Sequence, residues 1–480
     1  MQKSISYITR IILFLLTLSI IIGTSCFEKY AVIERYNNLI SYNNILYYFF
    51  SIILCVLFVI KFKYISNNNI IQYVFLIILS ILISYIIMWF PADLNTDFLN
   101  LHLFATQQFN AFPDNSFSDN YFLTFPFQLN AATLFGFIYK ITHSWRFVII
   151  IGCLLCVTSS IFAALSIYNI THSRSISLNT LLISIIIICL NWRAYIPYTD
   201  NYAMIFPVLC FYIYTTPKLS KLSKLSLIIF FTGIGYTIKI TSIIPSIAIL
   251  IVELLSLTYQ DFKGIRIHKL IVPCICLVSF TIPKIIHKIN NFTPIPDKEL
   301  QMPHYFCMGQ NTTSFGTVNG NDYAFSLSYN TIKERNKACI QKGFQRIEER
   351  GLLNNIIFYE KKLIISCKDG LFTCPNIDNI ITPPHNTFLN SFYMRGGRFF
   401  SIFAGVEQTI WNMILLLIFL STFVTKHKCT TVLQISFIGV ITYTLLFENR
   451  AKYLFMFLPI FVILSSLSLY YIRQFIKKRI

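Results

Sequence analysis

Groups able to do chemistry are sparse in this sequence, and the first of them stand together. Residues 91–139 carry Asp93, Asp97, Asp114 and Asp119 but no Lys or Arg, in a chain of formal net charge +19. Asp93 and Asp97 are four residues apart, a spacing that places both carboxylates on one face of a helix. At a membrane surface such a carboxylate can take the proton of an attacking hydroxyl; the plainer role is a helix cap. Gln128 follows within the aromatic block FPFQL (residues 125–129), where the rings either anchor at the interface or stack on a sugar. YIPYTDN supplies Tyr198 and Asp200, and TIKITS places Lys239 between two apolar runs. FENRAKY brings Glu448, Arg450 and Lys452 together; Arg grips a phosphate through two parallel hydrogen bonds, although Lys and Arg also anchor helix ends beside head groups. His304, in MPHYFCMGQ, is either catalytic or structural.

The elements that must position these groups are membrane helices. Of 480 residues, 55% are hydrophobic and 12% charged, and the apolar runs approach spanning length. Runs near 8–26, 44–60, 71–90, 146–168, 176–191, 202–216, 225–238, 242–258, 269–286, 407–424, 429–446 and 453–471 predict about twelve spans. The 39 Lys and Arg against 20 Asp and Glu fall in short clusters between these runs, which is the pattern of orientation signals and excludes a nucleic-acid reading. With the N-terminus inside, the cytoplasmic side collects Lys3, Arg10, Lys61, Lys63, Arg174, Lys218, Lys221, Lys224 and the basic C-terminal tail. Both termini are then cytoplasmic in a multi-pass cell-membrane protein. That parity requires the run at 122–140 to lie in the outer interface, beside the Asp-rich stretch, without crossing. The first 27 residues read as a retained helix, lacking a small-residue cleavage site.

The expected fold is therefore an all-α polytopic membrane protein with an interfacial helix in its first large outer loop. Residues 1–286 form a membrane domain with its outer loop at 91–145. Residues 287–398 form a small extracytoplasmic segment, α/β or irregular apart from a helical stretch at 329–350, and residues 399–480 supply the C-terminal membrane helices. Of thirteen cysteines most sit in apolar runs, as small buried hydrophobes. Cys307, Cys339, Cys367 and Cys374 fall in the polar segment without a zinc spacing; outside the cytoplasm disulfides become available, with Cys367 and Cys374 the easiest pair to close. No metal site is assigned and a divalent metal stays undetermined, the outer carboxylates having no tight ligand spacing.

In order and placement these blocks resemble the GT-C class of integral-membrane glycosyltransferases, and most closely the bacterial branch related to the protein mannosyltransferases. The resemblance rests on Asp97 after an early span, FPFQL, YTD (residues 198–200), GIGYTIKITSII (233–244), PHYFCMG (303–309) and FENRAKYLFMFLP (447–459). It implies inverting transfer of a sugar from a polyprenyl-phosphate donor, without a nucleotide-sugar in the site, to an extracytoplasmic glycan, lipid or protein. It further implies Asp97, with Asp93 as rival, as catalytic base. Asp200, Tyr198, Gln128, His304 and Lys239 become substrate-binding residues, and Arg450 and Lys452 face the donor phosphate. Two positions depart from the pattern: Ile240 stands where relatives often have Pro after the Lys, and Lys452 where they often have Arg. A surface-polysaccharide polymerase or ligase, resting on Arg395, Arg398 and His304, is the second reading. A lipid or glycan transporter is the third, weakened because the charges sit at helix ends instead of mid-membrane.

Overall fold

Long apolar runs with few helix breakers fold as helices because a chain in hydrocarbon must satisfy its own backbone. A computed structural model describes residues 2–26, 44–60, scattered positions from 78 to 89, 97–107, 117–256, 271–373, 386–394, 397–424 and 427–479. Every regular element among them is helical. Seven helices are long and apolar enough to cross a membrane: Ser4–Ser25, Trp145–Thr171, Lys221–Ile238, Ile271–Ile289, Phe400–Phe423, Lys428–Leu446 and Leu458–Lys477. Asn44–Val59, Arg174–Cys189 and Ile240–Ser256 are apolar but shorter. The protein is thus an all-helical polytopic membrane protein.

The count of about twelve is reached only if short and broken helices also cross. The run at 202–216 is split into Thr199–Ala203 and Ile205–Thr215, and the run at 71–90 lies largely outside the described residues. The expected helix over 122–140 is interrupted at Pro126, which has no N–H to continue the ladder. The chain instead forms Phe117–Thr124 and Gln128–Thr142, the latter packed on Asp97–Gln107.

One large apolar core joins these helices. Phe400–Val424 packs on Leu458–Arg479, and Trp145–Thr171 packs on both Arg174–Ser184 and Ile205–Thr215. Buried hydroxyls inside the bundle return to the preceding turn: Thr17 to the Leu13 carbonyl, Ser159 to Leu155 and Ser436 to Val432. Such bonds let Ser and Thr sit in an apolar setting without a desolvation penalty. On the N-terminal helix Ile8, Ile12, Leu15 and Ile22 are exposed, an apolar face suited to lipid.

The polar segment at 287–398 is helical among its described residues, with no strand, which corrects the expectation of an α/β or irregular unit. Its largest element, Ile332–Cys367, starts at a reciprocal cap: Thr331 Oγ1 accepts from Glu334 N and donates to Glu334 Oε2 at 2.8 Å. Gly351, at φ +67°, breaks this helix into two. Met302–Gly309 packs along it.

Candidate functional site

The site is built where helices stop. The Arg174–Ser184 helix widens into a π-turn at Ile185–Cys189 and is followed by a 3-10 turn at Trp192–Tyr195. The chain is extended at Tyr198 before Thr199–Ala203 begins. Such a turn exposes carbonyls, and Nδ2 of the buried Asn201 amide, with two hydrogens to share, lies 2.9, 2.9 and 2.8 Å from those of Arg193, Ala194 and Ile196. Lys239 is likewise extended, between the helix Lys221–Ile238 and the 3-10 turn Ile240–Ile243.

The third element is the strap from Phe447 to Ala451, leading from the helix Lys428–Leu446 into the Lys452–Phe455 turn. It is clamped from the polar segment. The buried Lys362 ammonium donates to the carbonyls of Gly309, Leu445 and Phe447 at 2.7, 2.6 and 2.9 Å. Asn449 N donates to Gly316 O at 2.8 Å, and its side chain binds the Lys362 carbonyl and Ser366. Gly309 is required here, since a Cβ would lie 2.6 Å from the Leu446 carbonyl oxygen.

These elements enclose a cavity of about 730 Å³. Of the residues singled out in the sequence, Asp97, Gln128, Tyr198, Lys239, Arg450 and Lys452 all line it. Tyr198 Oη lies 3.4 Å from Asp97 Oδ2 and receives Gln128 Nε2 at 3.1 Å, so carboxylate, phenol and amide form one chain. Tyr121 lines the cavity as well. Burial, followed by the Asp97 charge, pushes both phenols well above their ordinary range, which keeps them as donors. The Lys239 and Lys452 ammoniums each lie 5.3 Å from the centroid of the Tyr453 ring, and Lys452 lies 5.8 Å from that of Tyr198. Arg450 Nε is 3.3 Å from Glu448 Oε1. Lys452 is 6% exposed and forms no salt bridge to a described carboxylate. Burial, then the neighbouring Arg450 charge, lowers its pKa from 10.5 to about 8, against the pull of Glu448 and Asp97.

Two expected site residues stand behind the cavity wall. Asp200 is fully buried behind the wall, paired with Lys239 and 3.8 Å from Arg193 Nη2. Its carboxylate holds Lys239 in place and does not itself line the cavity. His304 also stands behind, its Nδ1 2.7 Å from Ser326 Oγ, while its neighbours Pro303 and Tyr305 reach the cavity. Burial pushes this imidazole down to about 4, which suits a neutral structural group. Asp93 lies outside the described residues.

Sequence reasoning passed over Glu448 as a site residue, although FENRAKY displayed it. It is a second carboxylate on the cavity wall, committed to Arg450. Also missed were Tyr121, Tyr305, Tyr323, Tyr443 and Tyr453, which make the lining largely aromatic; no periodicity separates such rings from lipid-facing ones. Among the described residues no group of three or more His, Cys, Asp or Glu is placed to hold a metal ion. The arrangement offers a hydrogen-bonded carboxylate, cations and flat rings around one cavity. That set can take up a proton and hold an anion.

Comparison with curated proteins and with solved structures gave no match for the chain. A family model described as "conserved hypothetical integral membrane protein" matches residues 3–472, nearly the entire length, and the chain belongs to that family.

Proposed function

We propose that the protein is a GT-C-type glycosyltransferase that moves a sugar from a polyprenyl-phosphate donor to an extracytoplasmic acceptor, with inversion at the anomeric carbon. The observation that carries this reading is the convergence of Asp97 with Lys239, Arg450 and Lys452 on one aromatic cavity, from positions hundreds of residues apart. In the proposed reaction the acceptor hydroxyl attacks the anomeric carbon and its proton passes to Asp97, which Tyr198 orients. The bond from the anomeric carbon to the phosphate oxygen breaks with its electron pair staying on that oxygen, and Lys452, Arg450 and Lys239 stabilise the added negative charge of the departing polyprenyl phosphate monoester. The tyrosine faces suit stacking on a pyranose or on the first isoprene units.

The distribution of Lys and Arg supports an orientation in a cell membrane with both termini cytoplasmic and the cavity on the opposite side. The polymerase reading is less favoured. Of its three residues, His304 and Arg398 do not line the cavity, and Arg395 lies outside the described residues.

A photoreactive polyprenyl-phosphate sugar in membranes tests the assignment. Label should map to peptides from residues 97–107, 121–128 and 447–457, and excess unmodified donor should compete it away. Labelling confined to the lipid-facing helices would remove the proposal.

A further inference from the structure

Beyond the break at Gly351 the long helix of the polar segment, Ile332–Cys367, changes character. Residues 352–367 read LLNNIIFYEKKLIISC. At about 3.6 residues per turn, Leu352, Leu353, Ile356, Glu360, Ile364 and Cys367 share one face. The C-terminal half of that face is seated on the first membrane helix, Gln2–Cys26. Ser19 Oγ donates to Glu360 Oε2, and Ile364 lies against Gly23. Ile364 and Cys367 are buried; Cys374, the expected disulfide partner of Cys367, lies outside the described residues. The N-terminal half of the same face is bare. Leu352 is 83% exposed, Leu353 71%, Ile356 60% and, at the margin, Ile357 45%. The opposite side of these turns is held by protein: Asn355 Nδ2 donates to the Ile347 and Gly351 carbonyls at 2.7 and 2.8 Å, and Phe358 is buried.

We propose that residues 352–357 lie in the bilayer, with this bare face among the acyl chains of the leaflet at the Ser25 end of the first span. Depth is the first support. Ser19 is six residues inside the end of the span Ser4–Ser25, about 9 Å along its axis. Glu360, which it binds, is therefore below the membrane surface, and so is the turn of helix that carries it. Continuity is the second. Leu15 and Ile22 on the same span are exposed apolar residues, so the bare face extends a surface already suited to lipid. Composition is the third. Residues 351–359 contain no charged side chain, and Arg350 and Lys361 bracket them, as basic residues do beside head groups. An apolar face of this kind, on a helix polar elsewhere, enters a bilayer by about 5–10 Å.

The placement reaches the cavity through one side chain. Lys362, on the buried side of the same helix, donates to the carbonyls of Leu445 and Phe447, at the start of the strap that carries Arg450. The lipid-seated turns and that part of the cavity wall thus share one helix. The inference rests on the membrane placement of Ser4–Ser25 and is independent of sugar transfer.

The experiment uses the full chain in nanodiscs of phosphatidylethanolamine and phosphatidylglycerol. One sample is labelled by a carbene from an apolar diazirine dissolved in the bilayer, the other by hydroxyl radicals made in the water, and both are mapped by peptide mass spectrometry. Leu15, exposed on the first span, and Leu327, exposed on the polar segment, serve as the lipid and water standards. Leu352, Leu353, Ile356 and Ile357 should take carbene at the level of Leu15 and be oxidised less than Leu327. Oxidation at the level of Leu327 overturns the proposal. Carbene labelling below that of Leu15 overturns it as well, and protection from both reagents would assign the face to a second copy or to another part of the chain.

Discussion

Lys452 offers a quantitative test because its charge is held under strain. The group titrates at about 8 in the folded protein instead of 10.5, a gap worth about 3 kcal/mol. Since the folded pKa is depressed, the unfolded chain binds more protons between these values, and stability should rise as pH climbs from about 8 towards 10.5. A bound anion reverses the preference by restoring the ammonium, so binding takes up a proton at high pH. A short-chain polyprenyl phosphodiester, whose own charge is fixed in this range, should bind with constant Kd below about pH 8. Its Kd should weaken roughly tenfold for each further pH unit. Tyr198 and Tyr453, pushed up by burial, stay protonated throughout. Lys452→Met should weaken binding at neutral pH and flatten the profile. Calorimetry or fluorescence titration in nanodiscs reads both. A flat wild-type profile, or the same slope in the variant, would refute the reasoning.

Three further outcomes follow from the buried charges. Lys362→Met strands three carbonyls and frees the strap that carries Arg450, so it should cost about 3–5 kcal/mol by thermal unfolding in detergent and weaken donor binding as well. Asp200→Asn leaves Arg193 and Lys239 without their buried counter-charge; a loss of about 3–5 kcal/mol is expected, and unchanged melting would show the pair to be idle. His304, folded near 4 against 6.5 unfolded, destabilises the fold as pH falls through that window, by up to about 3 kcal/mol. His304→Phe should therefore unfold with less acid sensitivity than the wild type between about pH 4 and 6.5.

Sequence reading found the helical membrane class because apolar runs are a long, redundant signal. It also found much of the cavity wall, since Asp97, Lys239, Arg450 and Lys452 stand at helix ends, where a charge in a membrane protein costs least and is most visible. Asp200 and His304 stand behind the wall, and the sequence did not show it, because whether a polar group faces a cavity or a partner behind it is a tertiary fact. Asp200 meets Lys239, thirty-nine residues on, and His304 meets Ser326. Fewer than twelve helices reach spanning length because the π-turn at Ile185–Cys189, the break between Thr199–Ala203 and Ile205–Thr215 and the 3-10 turn at Ile240–Ile243 shorten helices whose apolar runs hydropathy reads as continuous. The helical nature of the polar segment was legible in part, for Thr331 and Glu334 stand at capping-box spacing.

The account depends on proton acceptance and phosphate binding being separate duties of different residues in one cavity. Measuring donor binding and single-turnover sugar transfer together for Asp97→Asn and Arg450→Gln addresses this most directly. Asp97→Asn should bind donor normally and lose transfer by about 100- to 10,000-fold, the usual contribution of a general base. Arg450→Gln should lose donor affinity. Transfer at the wild-type rate by Asp97→Asn, with folding and donor binding intact, would contradict the account.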